Sequence, residues 1–290
     1  MAATEKVSKL ATKKINNVKC QMIPSDREED KRPIKGYEMI PNLYANIFLC
    51  AKKNKGKTTV IWNIINRCAG RDTAIVAFVS TLNNDTSWIK IREKCEERGL
   101  PFIGFTGIMS PDGDQLEALI ESLQKKAGEE VESKDEKESV GIPGTTIIEY
   151  MPTPSPSAGS GSSKPPRRLP YRAPEYMIIM DDLSSELKKQ SVAALLKKNR
   201  HFKTKVIISS QWLNDLPPEA LRQINIMCLF QGFSISKLEE FHKKANLGIP
   251  LIDFVDMYND ATKEPYGFLY VDTDTGVYRN KFDQQYKVDE

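Results

Sequence analysis

One eight-residue segment constrains the fold of this chain more than any other feature. Ala51–Thr58 reads AKKNKGKT, and it stands between a short apolar run, ANIFLC at 45–50, and a stretch with helical spacing, TTVIWNIINRCAG at 58–70. Its spacing matches G-x-x-x-x-G-K-[ST], except that alanine replaces the first glycine. Between a strand and a helix, such a loop cradles phosphate oxygens with its backbone N–H groups and the helix N-terminus. The segment therefore predicts a phosphate-binding loop.

The residues of this loop have distinct expected roles. Gly56 lets the backbone approach a phosphate without a Cβ clash, Lys57 would neutralise charge on the β- and γ-phosphates, and the Thr58 hydroxyl would ligate Mg²⁺. A lysine-rich surface turn is the alternative interpretation. The predicted nucleotide-binding residues are Ala51, Lys52, Lys53, Asn54, Lys55, Gly56, Lys57, Thr58 and Thr59.

The other apolar runs predict an α/β fold with a mostly parallel sheet flanked by helices. TAIVAFVST at 73–81 is apolar without alternation, which is typical of a strand buried on both faces. Strands are also expected at YMIIM (176–180), KVIIS (205–209) and 226–230, with a closing hairpin at 267–281. Helices are expected over 87–98, 114–126, 184–198, 219–225 and 236–247.

Composition divides the chain into an arm, a domain and an insertion. Residues 1–36 are polar and lysine-rich, which predicts a flexible basic arm, and 37–290 form the predicted P-loop domain. Within that domain, 127–174 turns first to acids and lysines and then to proline, serine and glycine, and it is expected to be disordered. GTTIIEY at 144–150 could still form a short strand.

Two adjacent acids follow the YMIIM run. A carboxylate at the carboxyl end of a buried strand lies beside the phosphates in an open α/β sheet, so Asp181 is expected to hold Mg²⁺ through water. Asp182 could orient the attacking water or accept its proton. Alternatively, Asp182 is a helix N-terminal charge ahead of Ser184.

Gln211 ends the next apolar strand. An amide there could hydrogen-bond the γ-phosphate or the attacking water, which makes Gln211 a candidate sensor. An ordinary turn amide is the alternative.

Composition limits the remaining function classes only weakly. Lysines and arginines number 42 against 39 acids, a net charge of +3, which neither requires nor excludes a nucleic-acid partner. The five cysteines include no Cys-x-x-Cys pair, so buried reduced thiols are expected rather than a zinc site. The apolar runs fall short of the roughly 20 residues that span a bilayer, and no secretory signal is evident. We expect no membrane span and a cytosolic or nuclear setting.

Four segments, taken in order, resemble the genome-packaging ATPases of large DNA viruses and virophages, a poxvirus-like branch of the FtsK/HerA superfamily. They are ANIFLCAKKNKGKTT, YMIIMDDL, KKNRHFKTKVIISSQ and LPPEALRQI, within 41–230. The resemblance implies a RecA-like fold and a ring-forming motor, expected to be hexameric, which uses ATP and Mg²⁺ to drive double-stranded DNA into a preformed capsid. By position, Lys57 and Thr58 match the phosphate and magnesium residues, Asp181 and Asp182 the acidic pair, and Gln211 the sensor.

The resemblance also suggests partners and a trans-acting cation. Arg200 or Arg222 could complete a neighbouring subunit's site, although either could be an ordinary helix-end or surface cation. DNA would be gripped by its backbone rather than read by sequence, and capsid or portal proteins would be further partners. Viral assembly sites in the host cytoplasm or nucleus, or the virion itself, are the expected locations. The basic cluster Lys164, Arg167, Arg168 and Arg172 could contact DNA or capsid, or serve only as a solubilising charge run.

Two other functions remain open from the sequence. A small-molecule kinase would use the same phosphate loop, and phosphoryl transfer to an added acceptor would identify it. A nucleotide-dependent scaffold with little turnover is suggested by Ala51, by the arm and by the insertion.

Overall fold

A computed structural model describes residues 30–132 and 169–287, with side chains described for all of these except 129–132. The compact unit that holds the described core begins at Arg32, so residues 32–36 belong to it rather than to the predicted arm. Ile34 forms a bridge with Arg172, and the Arg172 Nε donates to the Arg32 carbonyl at 2.9 Å. Outside the described residues lie 1–29, most of the predicted insertion, the GTTIIEY segment, Lys164, Arg167 and Arg168.

Eleven strands are formed by the described residues. Six of the nine strands of the main sheet are buried along their whole length, as uninterrupted apolar runs predict, and the three strands towards its edges are more exposed. The strands are β1 (Asn46–Cys50), β2 (Ala74–Val79), β3 (Phe102–Phe105), β4 (Met109–Ser110), β5 (Gly113–Asp114), β6 (Tyr176–Asp181), β7 (Thr204–Ser210), β8 (Ile226–Phe230), β9 (Phe268–Asp272), β10 (Val277–Asn280) and β11 (Gln284–Gln285).

Seven α-helices connect these strands in the same part of the chain. Most of them present one apolar face to the sheet, which is the pattern expected of helices that cover it. The helices are α1 (Lys57–Cys68), α2 (Thr86–Glu97), α3 (Gln115–Glu132), α4 (Gln190–Lys198), α5 (Pro218–Leu221), α6 (Ile235–Lys244) and α7 (Leu251–Ala261).

The main sheet has nine strands in the order β11-β10-β9-β8-β1-β7-β6-β2-β3. The six strands from β8 to β3 run parallel, and β9 and β10 add an antiparallel edge, so the predicted mostly parallel sheet with a closing hairpin is confirmed. Strand β7 lies between β1 and β6, with Cys50 opposite Ser210 and Asp181 opposite Ser209. The residues that follow β1, β7 and β6 therefore meet at one edge of the sheet.

Helices cover both faces of the sheet. On one face, α1 and α2 pack against residues such as Ile47 and Leu49 of β1. On the other, α3, α4, α6 and α7 pack against alternate residues such as Phe48 and Cys50. The two-residue period of a strand sends neighbouring side chains into opposite layers, which explains why every residue of β1 is apolar except Asn46.

Asn46 is only partly satisfied within this core, because its side-chain oxygen has no hydrogen-bond partner among the described residues. Its side-chain nitrogen donates to the carbonyls of Leu196 and Gln223, and its backbone N–H donates to the Asn225 side chain. These bonds tie the amino end of β1 to the segments that precede β7 and β8.

Helix boundaries differ from the sequence predictions by three or more residues in four places. Helix α3 continues to Glu132, so residues 127–132 are helical rather than part of the insertion, since alanine and glutamate there favour a helix. The single helix predicted over 184–198 is instead a 3₁₀ turn, Ser184–Lys188, followed by α4, with Lys189 extended between them. The helices predicted over 219–225 and 236–247 are shorter and end at Leu221 and Lys244.

The break at Lys189 has a packing reason. Leu187 and Val192 both lie in the same core layer, yet on one continuous helix they would point about 140° apart. Interrupting the helix lets both side chains reach the sheet.

Candidate functional site

Residues 51–56 form a loop between β1 and α1, as predicted, and Lys57 and Thr58 begin the helix. The left-handed positions of the loop are Asn54, with φ of 61°, and Gly56, with φ of 92°, which is the residue that precedes α1. Ala51 is fully buried in the α1-side core, and its N–H donates to the Ser210 carbonyl at 3.0 Å. Since the first position of this loop packs a side chain inward and needs no left-handed backbone, alanine fits there as well as glycine.

Lys57 and Asp182 form an ion pair at the carboxyl edge of the sheet. The Lys57 Nζ lies 2.6 Å from Asp182 Oδ1, the lysine side chain is 7% exposed and the aspartate side chain is 39% exposed. Asp182 has φ of 53°, in the left-handed region that aspartate tolerates better than most residues. The pair joins the phosphate loop to the segment that follows β6.

Asp181 is buried at the end of β6, where it was predicted. The indole nitrogen of Trp88, from α2, donates to Asp181 Oδ2 at 2.9 Å, and Asp181 Oδ1 has no hydrogen-bond partner among the described residues. Burial raises the pKa of the Asp181 carboxyl. A half-satisfied buried carboxylate is costly, so this geometry favours a cation or a bound water at Oδ1.

Strand β7 carries polar groups between the phosphate loop and the two acids. Ser209 lies opposite Asp181 in the neighbouring strand, and its buried Oγ also has no partner in the described part of the chain. Gln211 follows β7 directly and is half-buried. Because β7 is the strand between β1 and β6, Gln211 lies at the level where the phosphate loop and the acids meet.

The remaining loop residues are more exposed. Lys52, Lys53, Asn54 and Thr59 face solvent, and Thr58 is half-buried at the start of α1. The Lys55 Nζ donates to Gln231 Oε1 at 3.1 Å, immediately after β8. The free amines and hydroxyls of this loop are therefore open to an anion placed above the helix N-terminus.

The residues present fit Mg²⁺ held largely by a bound nucleotide. Residues 30–132 and 169–287 contain no group of three or more histidine, cysteine or acidic side chains that could hold a metal by themselves. Mg²⁺ in phosphate sites takes one or two protein oxygens and completes its shell with water and phosphate. The unpartnered Asp181 Oδ1 and the Thr58 hydroxyl are oxygens of that kind.

Arg200 and Arg222 do not join this site. Arg200 is exposed in the turn before β7, and Arg222 is exposed between α5 and β8. Both positions precede parallel strands, whereas the phosphate loop and the acids follow them. A five- to seven-residue strand spans roughly 20 Å, so both arginines lie at the opposite edge of the sheet from the chain's own Lys57.

Three neighbours of the site were not found by sequence reasoning. The Trp88 indole donates a hydrogen bond to Asp181, Gln231 accepts one from Lys55, and Tyr266 lies against Gly56. Each comes from an element distant in sequence, so no local pattern marks it. A buried tryptophan needs a partner for its N–H, but the sequence does not say which one.

The four described cysteines, Cys50, Cys68, Cys95 and Cys228, are buried and free, as expected for reduced thiols; Cys20 lies outside the described residues. In the part of the chain that the structure describes, no helix is both long and apolar enough to cross a membrane.

No known family profile and no curated protein matches the chain. Among solved structures, the genome packaging NTPase B204 of Sulfolobus turreted icosahedral virus 2, bound to AMP, is 15% identical, aligns over 82% of this chain and 97% of its own, and has a TM-score of 0.48. B204, the DNA-packaging ATPase of Sulfolobus turreted icosahedral virus, is 13% identical over 85% and 98%, with a TM-score of 0.48.

The cytoplasmic domain of the type VII secretion ATPase EccC from Thermomonospora curvata is 13% identical over 79% of this chain and 24% of its own, with a TM-score of 0.41. The two B204 proteins are viral genome-packaging enzymes, the class that the motif order resembles. At these identities and TM-scores the likeness carries no functional information by itself.

Proposed function

We propose that this protein is an ATPase that drives double-stranded DNA into a preformed viral capsid. The observation that carries the proposal is the contact between Lys57 and Asp182 beside the buried Asp181, at the edge where β1, β7 and β6 end. A cation on a phosphate loop, a buried acid and an exposed acid are the groups that phosphoryl transfer to water requires.

In the proposed reaction each side chain has a separate task. Lys57 leaves Asp182 and binds the β- and γ-phosphates, which frees the Asp182 carboxylate to orient the attacking water and accept its proton. Gln211 donates to the γ-phosphate or to that water. Thr58 and Asp181 are the residues that would hold Mg²⁺, which would supply charge neutralisation on the phosphates.

The positions of the two candidate arginine fingers are consistent with the proposed ring of identical subunits. Because Arg200 and Arg222 lie across the sheet from their own phosphate loop, either can act as a finger only in a neighbouring subunit's site. A trans-acting arginine stabilises transition-state charge and couples hydrolysis to assembly. Six subunits are proposed from the resemblance.

The DNA-directed part of the proposal rests on the order of the motifs in the sequence. The partner is the phosphate backbone of double-stranded DNA, and the assembled motor works with capsid or portal proteins at viral assembly sites in the host cytoplasm or nucleus. Backbone contacts release counterions, so binding should weaken steeply with added salt.

The decisive experiment measures ATP hydrolysis by the assembled protein with and without long double-stranded DNA, at low and moderate salt. We expect DNA to stimulate hydrolysis, salt to reduce the stimulation, and Lys57→Ala to abolish turnover. Lys90→Ala is the matched control, because Lys90 is an exposed lysine on α2 and takes no part in the site. It should hydrolyse ATP as the unmodified protein does.

Three results would contradict the proposal in different ways. If DNA does not change the rate of hydrolysis in an assembled ring, the translocation function is refuted and the assignment of the phosphate site stands. Phosphoryl transfer to an added small acceptor identifies a kinase. Undiminished function in Lys57→Ala indicates a scaffold that does not depend on turnover.

A further inference from the structure

Tyr266 is an exposed aromatic residue with an unusual backbone conformation. It lies between α7 and β9, its side chain is 65% exposed and its φ is 63°. A bulky residue in the left-handed region is uncommon, and such conformations persist only where the surrounding structure fixes them. Strained residues of this kind concentrate at ligand sites.

The turn that presents Tyr266 is fixed by its neighbours. The Gly267 N–H donates to the Glu264 carbonyl at 3.1 Å, and a Cβ added to Gly267 would lie only 2.3 Å from the Ala261 carbonyl oxygen. Phe268 then pairs with Phe230, which brings the start of β9 alongside the end of β8. Since β8 adjoins β1, the turn reaches the edge of the sheet that carries the phosphate loop.

The Tyr266 ring lies directly against that loop. A Cβ added to Gly56 would meet Tyr266 Cδ1 at 3.2 Å and Tyr266 Cβ at 3.6 Å. Gly56 is the residue that precedes α1, so the ring touches the part of the loop where phosphate is expected to bind. Most of the side chain nevertheless stays in solvent, which leaves ring surface open to a further partner.

We propose that Tyr266 is the base-stacking residue of the nucleotide site. The proposal rests on the proposed function and adds the part of the ligand that the phosphate loop does not recognise, which is the aromatic base of a nucleoside triphosphate. Every base has a π-face, so stacking on tyrosine stabilises binding without selecting one base. Tyr266 thus strengthens the binding of ATP and of GTP to a similar extent.

The test compares the affinities of the full-length protein for non-hydrolysable analogues of ATP and GTP and for inorganic tripolyphosphate, all with Mg²⁺. Tyr266→Ala should weaken both nucleotide analogues by about tenfold, as loss of one stacked base implies, and leave tripolyphosphate unchanged. Tyr266→Phe should bind all three ligands as the unmodified protein does, because it keeps the ring.

Two further variants separate stacking from structural effects. Tyr266→Gly removes the ring and relieves the left-handed strain, so it should lose nucleotide affinity without any fall in thermal midpoint. Tyr37→Ala is the matched control: Tyr37 is 60% exposed, but it lies near the last turn of α1, at the other end of that helix from Gly56.

Unchanged or tighter nucleotide binding in Tyr266→Ala would overturn the inference, and so would an equal loss for tripolyphosphate. These failures differ from failure of the proposed function. If the unmodified protein binds no nucleotide, or if Lys57→Ala binds nucleotide equally well, the phosphate site itself is wrong.

Discussion

Asp182→Asn offers the sharpest test of the two roles proposed for Asp182, as partner of Lys57 and as proton acceptor, because it removes the charge and changes little else. Asparagine has nearly the same shape as aspartate and tolerates the left-handed backbone that Asp182 adopts, with φ of 53°. The Asp182 N–H and carbonyl, which contact Ser209 and Ser80, are backbone groups and stay in place. The substitution therefore weakens only the interaction between the side chain at position 182 and the Lys57 ammonium.

The expected effects on binding and on chemistry have opposite signs. The Lys57–Asp182 pair is short, but the 39% exposure of Asp182 screens it, so it is worth about 0.2 to 1 kcal/mol in the free protein. Bound phosphates must displace that partner, so Asp182→Asn should tighten ATP binding by roughly 1.5- to 5-fold. Loss of the group that accepts the proton should lower kcat by about 10²- to 10⁴-fold.

Calorimetric titration with a non-hydrolysable ATP analogue and steady-state phosphate release measure the two effects separately. Asp256→Asn, an exposed acid on α7, is the control and should change neither. A kcat within tenfold of the unmodified protein would refute the proton-accepting role. A marked loss of analogue affinity would refute the idea that Asp182 competes with phosphate for Lys57.

Two further predictions concern polar groups outside the site. Lys205 on β7 is fully buried and its Nζ has no hydrogen-bond partner among the described residues, so Lys205→Met should raise the free energy of unfolding by about 1 to 3 kcal/mol at neutral pH. Burial lowers the pKa of Lys205 below its ordinary 10.5, so the unfolded chain binds the lysine proton more tightly than the folded chain. The unmodified protein therefore becomes more stable as pH rises towards 10.5, and urea titrations should show the stability gain of Lys205→Met shrinking over that range. Glu186 accepts the backbone N–H groups of Ile108 and Met109 at 2.6 and 2.9 Å, so Glu186→Ala should lower the free energy of unfolding by about 2 kcal/mol, and a loss under 0.5 kcal/mol by urea titration would contradict it.

The strand ends of the site were predictable because each is marked locally. A strand buried on both faces is an unbroken apolar run, and a polar residue directly after it must lie at the edge of the sheet. This reasoning predicts that Lys57, Asp181 and Gln211 lie at one edge of the sheet. Strand β3 was missed because Phe102–Phe105 is a short, half-exposed edge strand, and its glycine weakens the strand pattern.

The order of the strands in the sheet could not be predicted from the sequence, and the contacts between the site residues depend on that order. The position of β7 between β1 and β6 sets Ser209 opposite Asp181, yet the three strands are far apart in the chain. Such pairings arise from packing of whole layers rather than from local propensity.

Tyr266 illustrates the same limit most clearly. Pro265 and Gly267 on either side of it predict a turn, but a turn signal does not say what the turn will contact. Only the antiparallel pairing of β9 with β8 brings the ring to Gly56, from the far end of the chain. The groups that bind phosphate were therefore visible in the sequence, because chemistry fixes their spacing. The group that we infer to bind the base was not, because any aromatic side chain that the fold carries to that edge would serve.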